Sequence, residues 1–121
     1  MKYIKLFENK LYHKISGQEL LKRRNSNNFE DFKPYEISWL KEFLKTRRGI
    51  IIKSFNSDYI EFYFTWTGDR QVRYFLLHKL SDNYFTVVLD TSVFALEFFE
   101  CDEFEGLKQL LSDKLKPKHN E

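Results

Sequence analysis

The chain of 121 residues has few of the residues that build covalent, metal or flexible sites: one cysteine, two prolines and four glycines. A single thiol excludes an intramolecular disulfide and a cysteine-based zinc site, and it is typical of a reducing compartment. No apolar run approaches the ~20 residues that span a bilayer. The first residues lack the apolar stretch and cleavage site of a signal peptide. These absences predict a soluble, cytoplasmic protein.

Motifs for catalysis are also missing. The scattered glycines exclude the phosphate-cradling loops of nucleotide-binding proteins, and no G-x-S-x-G nucleophile motif occurs. His13, His78 and His119 share no metal-binding spacing. Cys101 stands among carboxylates, which raise the pKa of a thiol, so we interpret it as a small buried hydrophobe rather than a nucleophile. The sequence therefore predicts a non-enzymatic protein with no catalytic residues, metal or cofactor.

The abundant residues are aromatic. They make up 18% of the chain, with 13 Phe and 7 Tyr, and such residues favour half-buried positions in sheets. The length suits one core rather than two. We predict a single α+β domain over residues 1–121, mainly helical in 1–49 after short N-terminal strands, with an antiparallel sheet in 50–100 and a C-terminal helix in 102–116.

Capping residues predict where the helices begin. Ser16 followed by Glu19 forms a capping-box pattern, and Pro34 suits the first turn of a second helix that Gly49 terminates. Asp102, with an acidic residue three positions later, is the expected N-cap of the last helix.

From residue 50 the period becomes two, which indicates a meander of about five antiparallel strands. Ile60, Phe62 and Phe64 share one face of a strand, whereas Tyr59 and Tyr63 share the other. Apolar stripes at helical spacing predict that the helices near 36–48 and 102–115 pack on one face of this sheet.

Charge is distributed unevenly along the chain. Residues 1–54 contain 13 Lys/Arg against 6 Asp/Glu, whereas residues 55–121 contain 7 against 12. Complementary halves can face each other within one molecule or between two copies, so self-association is possible. The basic half can instead bind a polyanion. The leading hypothesis is a module that binds a protein partner.

The candidate partner-binding residues lie on and near the long hairpin. Trp66, Asp69 and Arg70 gather an aromatic, a turn and an arginine at its tip, a composition enriched in interfaces. In the alternative interpretation Trp66 continues the buried face. Tyr59 and Tyr63, on the other face, are then covered either by the helix at 15–24 or by the partner.

The second functional hypothesis is nucleic-acid binding by the basic N-terminal half. Its candidate residues are Lys22, Arg23, Arg24, Arg47 and Arg48. Cations at helix ends also complement the helix dipole, which weakens this interpretation for the last two. The net negative charge of the sheet half argues against phosphate binding there.

Three stretches of the sequence resemble small uncharacterised accessory proteins of large tailed bacteriophages. They are residues 1–8, residues 74–87 and, most specifically, residues 98–107, which are similar to an aromatic-aromatic-x-Cys-Asp-x-aromatic-acidic-Gly-Leu ending. The resemblance implies an accessory protein made in an infected cell and assigns no activity. We interpret the last motif as architectural: Cys101 fills a tight space, Asp102 caps the helix, and Gly106 lets that helix lie close to the sheet.

Overall fold

The fold combines a six-stranded antiparallel sheet with three helices. The computed structural model describes residues 11–65, 71–81, 84–91 and 96–115. The strands are β1 (Tyr12–Ile15), β2 (Ile50–Phe55), β3 (Tyr59–Phe64), β4 (Arg73–Ser81), β5 (Tyr84–Asp90) and β6 (Glu97–Cys101). The helices are α1 (Gly17–Ser26), α2 (Pro34–Lys45) and α3 (Phe104–Lys114). The predicted α+β class is confirmed.

The strands follow the order β1-β6-β5-β4-β3-β2, and every neighbouring pair is antiparallel. Strands β2 to β6 form the predicted meander. The sixth strand is β1, which adds to the outer side of β6 with Tyr12 opposite Cys101. Strands β1 and β2 are therefore the two edges of the sheet, far apart in space although both belong to the first half of the chain.

One face of the sheet carries the core. Alternate residues of the central strands, including Phe62, Phe75 and Phe85, are fully buried. Helices α2 and α3 cover them with a leucine stripe, and Leu40 and Leu107 belong to the same apolar cluster. The prediction that these two helices pack on one face is confirmed. They pack there because each helix has an apolar stripe and each strand presents alternate apolar residues to it.

Helix α1 lies against the opposite face. Its first residue, Gly17, approaches the ring of Phe98 in β6. Phe98 precedes the core-facing residue Phe99 and therefore lies on the second face of the sheet. A Cβ at Gly17 would lie 3.2 Å from the Phe98 ring. Arg23 contacts Tyr84 and Glu100, which are also on this second face. The helix thus covers the end of the sheet formed by β4, β5 and β6 and leaves the β2–β3 end uncovered by it.

The predicted helix starts are correct for α1 and α2. The Ser16 hydroxyl accepts a hydrogen bond from the Glu19 amide at 3.1 Å, and the Glu19 carboxylate accepts one from the Ser16 amide at 3.4 Å. Pro34 is the first residue of α2, where a missing N–H leaves no helical bond unmade.

The predicted start of α3 is wrong. The helix begins at Phe104, its N-cap is Glu103, and no side chain caps it; Asp102 is exposed and lies outside the helix. Burial of Phe104 against the core fixes the first turn in place of a polar cap.

Gly106 lets α3 lie close to neighbouring backbone, as predicted. The backbone that it approaches belongs to Leu11, the residue before β1. A Cβ at Gly106 would lie 2.3 Å from the carbonyl oxygen of Leu11. Only glycine therefore allows α3 to lie so close to the chain entering β1.

The core contains one ion pair that the sequence pattern does not reveal. Glu36 of α2 is fully buried and Lys79 of β4 is 1% exposed. Lys79 Nζ donates to Glu36 Oε1 at 3.1 Å, and the Lys33 amide donates to the same oxygen at 2.7 Å. This pair ties the first turn of α2 to the middle of the sheet.

Candidate functional site

The structure describes only part of the predicted partner-binding set. Trp66, Asp69 and Arg70 lie outside the described residues. Tyr59 and Tyr63 lie on β3, on the face opposite α2 and α3, and both are half-buried. The parity of the strand therefore places these two tyrosines on the non-core face, as predicted.

These tyrosines belong to a larger surface that we name the open tyrosine face. It consists of half-buried residues on the non-core face of three adjacent strands: Tyr59, Tyr63, Tyr74, Leu76 and Val88. Tyr63 lies directly opposite Tyr74, with ring centroids 5.5 Å apart, and Leu76 lies opposite Val88. Cross-strand pairing holds these side chains on rigid backbone.

A carboxylate at the centre of this face fixes the orientation of Tyr74. The Tyr74 hydroxyl donates to Glu61, and this bond, with a second from Ser54, lowers the pKa of the Glu61 carboxyl. Lys53 Nζ approaches the same carboxylate at 4.0 Å. The Glu61 contacts raise the pKa of Tyr74 in addition to the effect of its burial. Tyr74 is thus a neutral donor with a fixed orientation.

The open tyrosine face is bordered by an aromatic stack that also includes a histidine. The His78 ring lies between Phe29, at 4.8 Å between centroids, and Tyr59, at 5.6 Å. Arg24 lies 3.2 Å from His78 Nδ1. Because an arginine can only donate, Nδ1 accepts and the proton resides on Nε2. Burial, with a smaller contribution from Arg24, lowers the pKa of His78 to about 4.

Helix α1 lies at the same border of the face, because its residue Arg24 contacts His78. Arg23 Nε donates to the Tyr84 hydroxyl at 2.8 Å and to Glu100 Oε1 at 3.0 Å. Of the two alternatives for covering Tyr59 and Tyr63, this arrangement does not favour the first: the helix reaches the β4–β6 end of the sheet, and Tyr63 keeps its partial exposure.

The predicted nucleic-acid residues do not form one surface. Arg23 and Arg24 are engaged by the contacts just described, whereas Lys22 is exposed. Arg47 packs its guanidinium 4.4 Å above the ring of Phe43 in α2, on the opposite side of the sheet, and Arg48 is exposed beside it. The two basic groups are therefore separated by the sheet.

The one thiol of the chain is not available at the surface. Cys101 is fully buried, and burial, with the charges of Asp102 and Glu100, raises its pKa to about 12. This confirms its interpretation as a buried small side chain. Within the described ranges, no group of three His, Cys, Asp or Glu residues is arranged to hold a metal ion. Nor does any helix in this part of the chain have the length and apolar character to cross a membrane.

Sequence reasoning identified the tyrosines by parity but missed the residues that orient and border them. Glu61, His78 and Phe29 act through contacts between distant segments, for which the local pattern contains no signal. No protein-family model, curated protein or solved structure matches the chain.

Proposed function

We propose that this protein is a non-enzymatic binding module whose open tyrosine face contacts a protein partner. The observation that carries the proposal is the pair Tyr63–Tyr74, which cross-strand pairing holds on the sheet and which keeps part of its surface exposed. Tyrosine is enriched in protein interfaces because it brings a large rigid apolar area together with one polar group. Fixing the rings before binding reduces the entropy lost in the complex.

The charges of this face favour a protein over a nucleic acid. Glu61 lies at its centre, where it accepts a hydrogen bond from the Tyr74 hydroxyl. The nearby cation, Lys53, is already close to Glu61. Phosphate contacts need free cations, so a polyanion placed over Tyr63 and Tyr74 would meet the Glu61 carboxylate instead.

The setting in this proposal comes from the sequence. The resemblance to phage accessory proteins supports a role in the cytoplasm of an infected cell, with a host or phage protein as the partner. Binding of nucleic acid by Lys22, Arg48 and their neighbours is the alternative function. It has less support, because Arg23 and Arg24 make contacts within the protein.

Site-specific photocrosslinking tests the proposal. A benzophenone amino acid replaces Tyr63 in one variant and Tyr35 in a control; Tyr35 is a tyrosine 58% exposed on α2, on the other side of the sheet. In phage-infected bacteria, we expect the Tyr63 position to give a discrete protein adduct that survives nuclease treatment and the Tyr35 position to give none.

Two outcomes would contradict the proposal. An adduct at position 63 that nuclease removes would favour the nucleic-acid alternative. Identical adducts from both positions would show that the open tyrosine face has no selective partner.

A further inference from the structure

Strand β2 presents one side without a neighbour. Within the described ranges it pairs only with β3, and it ends the sheet. An edge strand exposes backbone N–H and C=O groups that can pair with another chain. Sheets use such edges to bind extended peptides as an added strand.

The hydrogen-bond pattern identifies which groups are free for pairing. The Thr65 amide donates to the Gly49 carbonyl at 3.1 Å, so Gly49 and Thr65 form a hydrogen-bonded pair. Such pairs alternate along antiparallel strands. Ile51, opposite Tyr63, therefore points its backbone groups toward β3, whereas Ile50 and Ile52 point theirs to the outer edge.

The side chains of this segment are unusually apolar for an exposed edge. Ile51 is 69% exposed and Ile52 is 45% exposed. Protection of the edge begins only at the next residue, Lys53. This lysine is exposed, and the register of the β2–β3 pairing shifts there at a bulge between Ile52 and Ser54. Bulges and lysines are the usual means of blocking edge pairing, so residues 50–52 are left open.

Ile51 extends the open tyrosine face to this edge. It lies directly opposite Tyr63, which lies opposite Tyr74, so the three side chains form one row across β2, β3 and β4. A strand added to β2 would continue that row. The edge and the face are therefore one continuous surface.

Cations border the edge and indicate what it binds. Lys41 of α2 lies 5.7 Å from the ring of Phe55 in β2, and Lys45 and Arg48 are exposed and close in the chain to Ile50. Of the two carboxylates in α2, Glu36 is buried with Lys79, which leaves Glu42 at the surface. A second copy paired edge to edge would bring two sets of these cations together, whereas an acidic segment would complement them.

We propose that the outer edge of β2 binds an extended, acidic segment of the partner as an added antiparallel or parallel strand, with Ile50 and Ile52 providing the backbone hydrogen bonds. This inference rests on the proposed function, because it assigns the chemistry of the partner that contacts the adjoining tyrosines.

Amide hydrogen exchange measured by NMR tests the proposal with a synthetic peptide that alternates valine with glutamate. In the free protein we expect fast exchange at the Ile50 and Ile52 amides and slow exchange at Ile51, which serves as an internal control. The peptide should slow exchange at Ile50 and Ile52. The same peptide with lysine in place of glutamate should have no effect.

Substitutions separate edge pairing from loose charge attraction. Ile52→Pro removes an outward N–H without removing a bond to β3, and it should abolish the protection at Ile50. Ile51→Glu should weaken binding of the acidic peptide about tenfold by like-charge repulsion. Leu21→Glu, at a comparably exposed leucine on α1 (59%), is the matched control and should leave binding unchanged.

The outcomes distinguish this inference from the proposed function. No protection at Ile50 and Ile52 with the acidic peptide overturns the inference, as does protection in the free protein that grows with its concentration, which would indicate a second copy. If the Tyr63 crosslink to a protein partner nevertheless forms, and forms equally in Ile52→Pro, the proposed function stands without the added strand. Absence of the crosslink from the Tyr63 benzophenone variant that keeps Ile52 would instead overturn the proposed function.

Discussion

A single histidine shows how environment sets chemistry in this protein. His78 stands between two aromatic rings and accepts a hydrogen bond from Arg24, so its neutral form is favoured by both burial and a neighbouring positive charge. The charges of Asp58 and Glu61 act in the opposite direction, but more weakly. The residue serves as a fixed neutral ring at the border of the open tyrosine face and not as an acid or base near neutral pH.

This environment predicts a stability that falls with acidification. Folding lowers the pKa of His78 from 6.5 to about 4, so between these values the unfolded chain binds the extra proton. The contribution of neutral His78 to the free energy of unfolding is therefore fully present above pH 6.5 and is lost as the pH falls toward 4. Because the ring is partly exposed, we expect the loss to be about 1–2 kcal/mol.

The measurement is urea unfolding at several pH values between 7.5 and 4. The His78→Gln variant should lose about 1–2 kcal/mol less than the unsubstituted protein over this range. Gln18→Asn, at an exposed non-titrating position on α1, is the control and should follow a curve parallel to that of the unsubstituted protein. Parallel curves for all three proteins would show that His78 keeps an ordinary proton affinity in the fold.

At the scale of elements, local patterns predicted what local forces determine. The period-two run of β3 and the apolar stripe of α2 each report burial of one face, and both elements form as expected. The pairing of β1 with β6 and the seat of α1 on the second face depend on contacts between distant segments. No local pattern encodes these, so the sequence could place Tyr59 and Tyr63 on a face but could not say what covers that face.

The helix starts give a prediction at this scale. Ser16→Ala removes the hydroxyl that accepts from the Glu19 amide and should destabilise the protein by about 1 kcal/mol. Asp102→Ala should change stability by less than about 0.5 kcal/mol, because this exposed residue lies outside α3. Urea unfolding at neutral pH measures both. A larger cost for Asp102→Ala than for Ser16→Ala would mean that Asp102 supports α3 despite lying outside it.

Across the whole molecule, the basic and acidic halves of the chain meet within one fold. Arg23 pairs with Glu100 at 3.0 Å, Lys14 with Glu97 at 3.3 Å, and Lys53 approaches Glu61 at 4.0 Å. Each pair joins a cation of residues 1–54 to a carboxylate of residues 55–121. This supports the interpretation of the charge asymmetry as complementary faces of one molecule, and part of the basic charge is thereby unavailable to an external polyanion.

The buried pair Glu36–Lys79 also joins the two halves of the chain, but here the carboxylate belongs to residues 1–54 and the cation to residues 55–121. Its carboxylate comes from the helical half and its ammonium from the sheet, and the two atoms nearest each other are 3.1 Å apart with almost no solvent exposure. Removing one partner leaves the other charged and unpaired in the core, which costs about 3–5 kcal/mol. Replacing both by apolar residues of similar volume is often neutral or stabilising.

A double-mutant cycle tests this arrangement. We expect Glu36→Leu and Lys79→Met each to lower the free energy of unfolding by about 3–5 kcal/mol. The double variant should lower it far less than the sum of these two effects, and also less than either single substitution. The surface pair Glu105–Lys108, at 2.9 Å on α3, is the control cycle and should show a coupling below about 1 kcal/mol because solvent screens it. If the effects of Glu36→Leu and Lys79→Met were additive, the two side chains would not be coupled, and α2 would be positioned on the sheet by its leucine stripe alone.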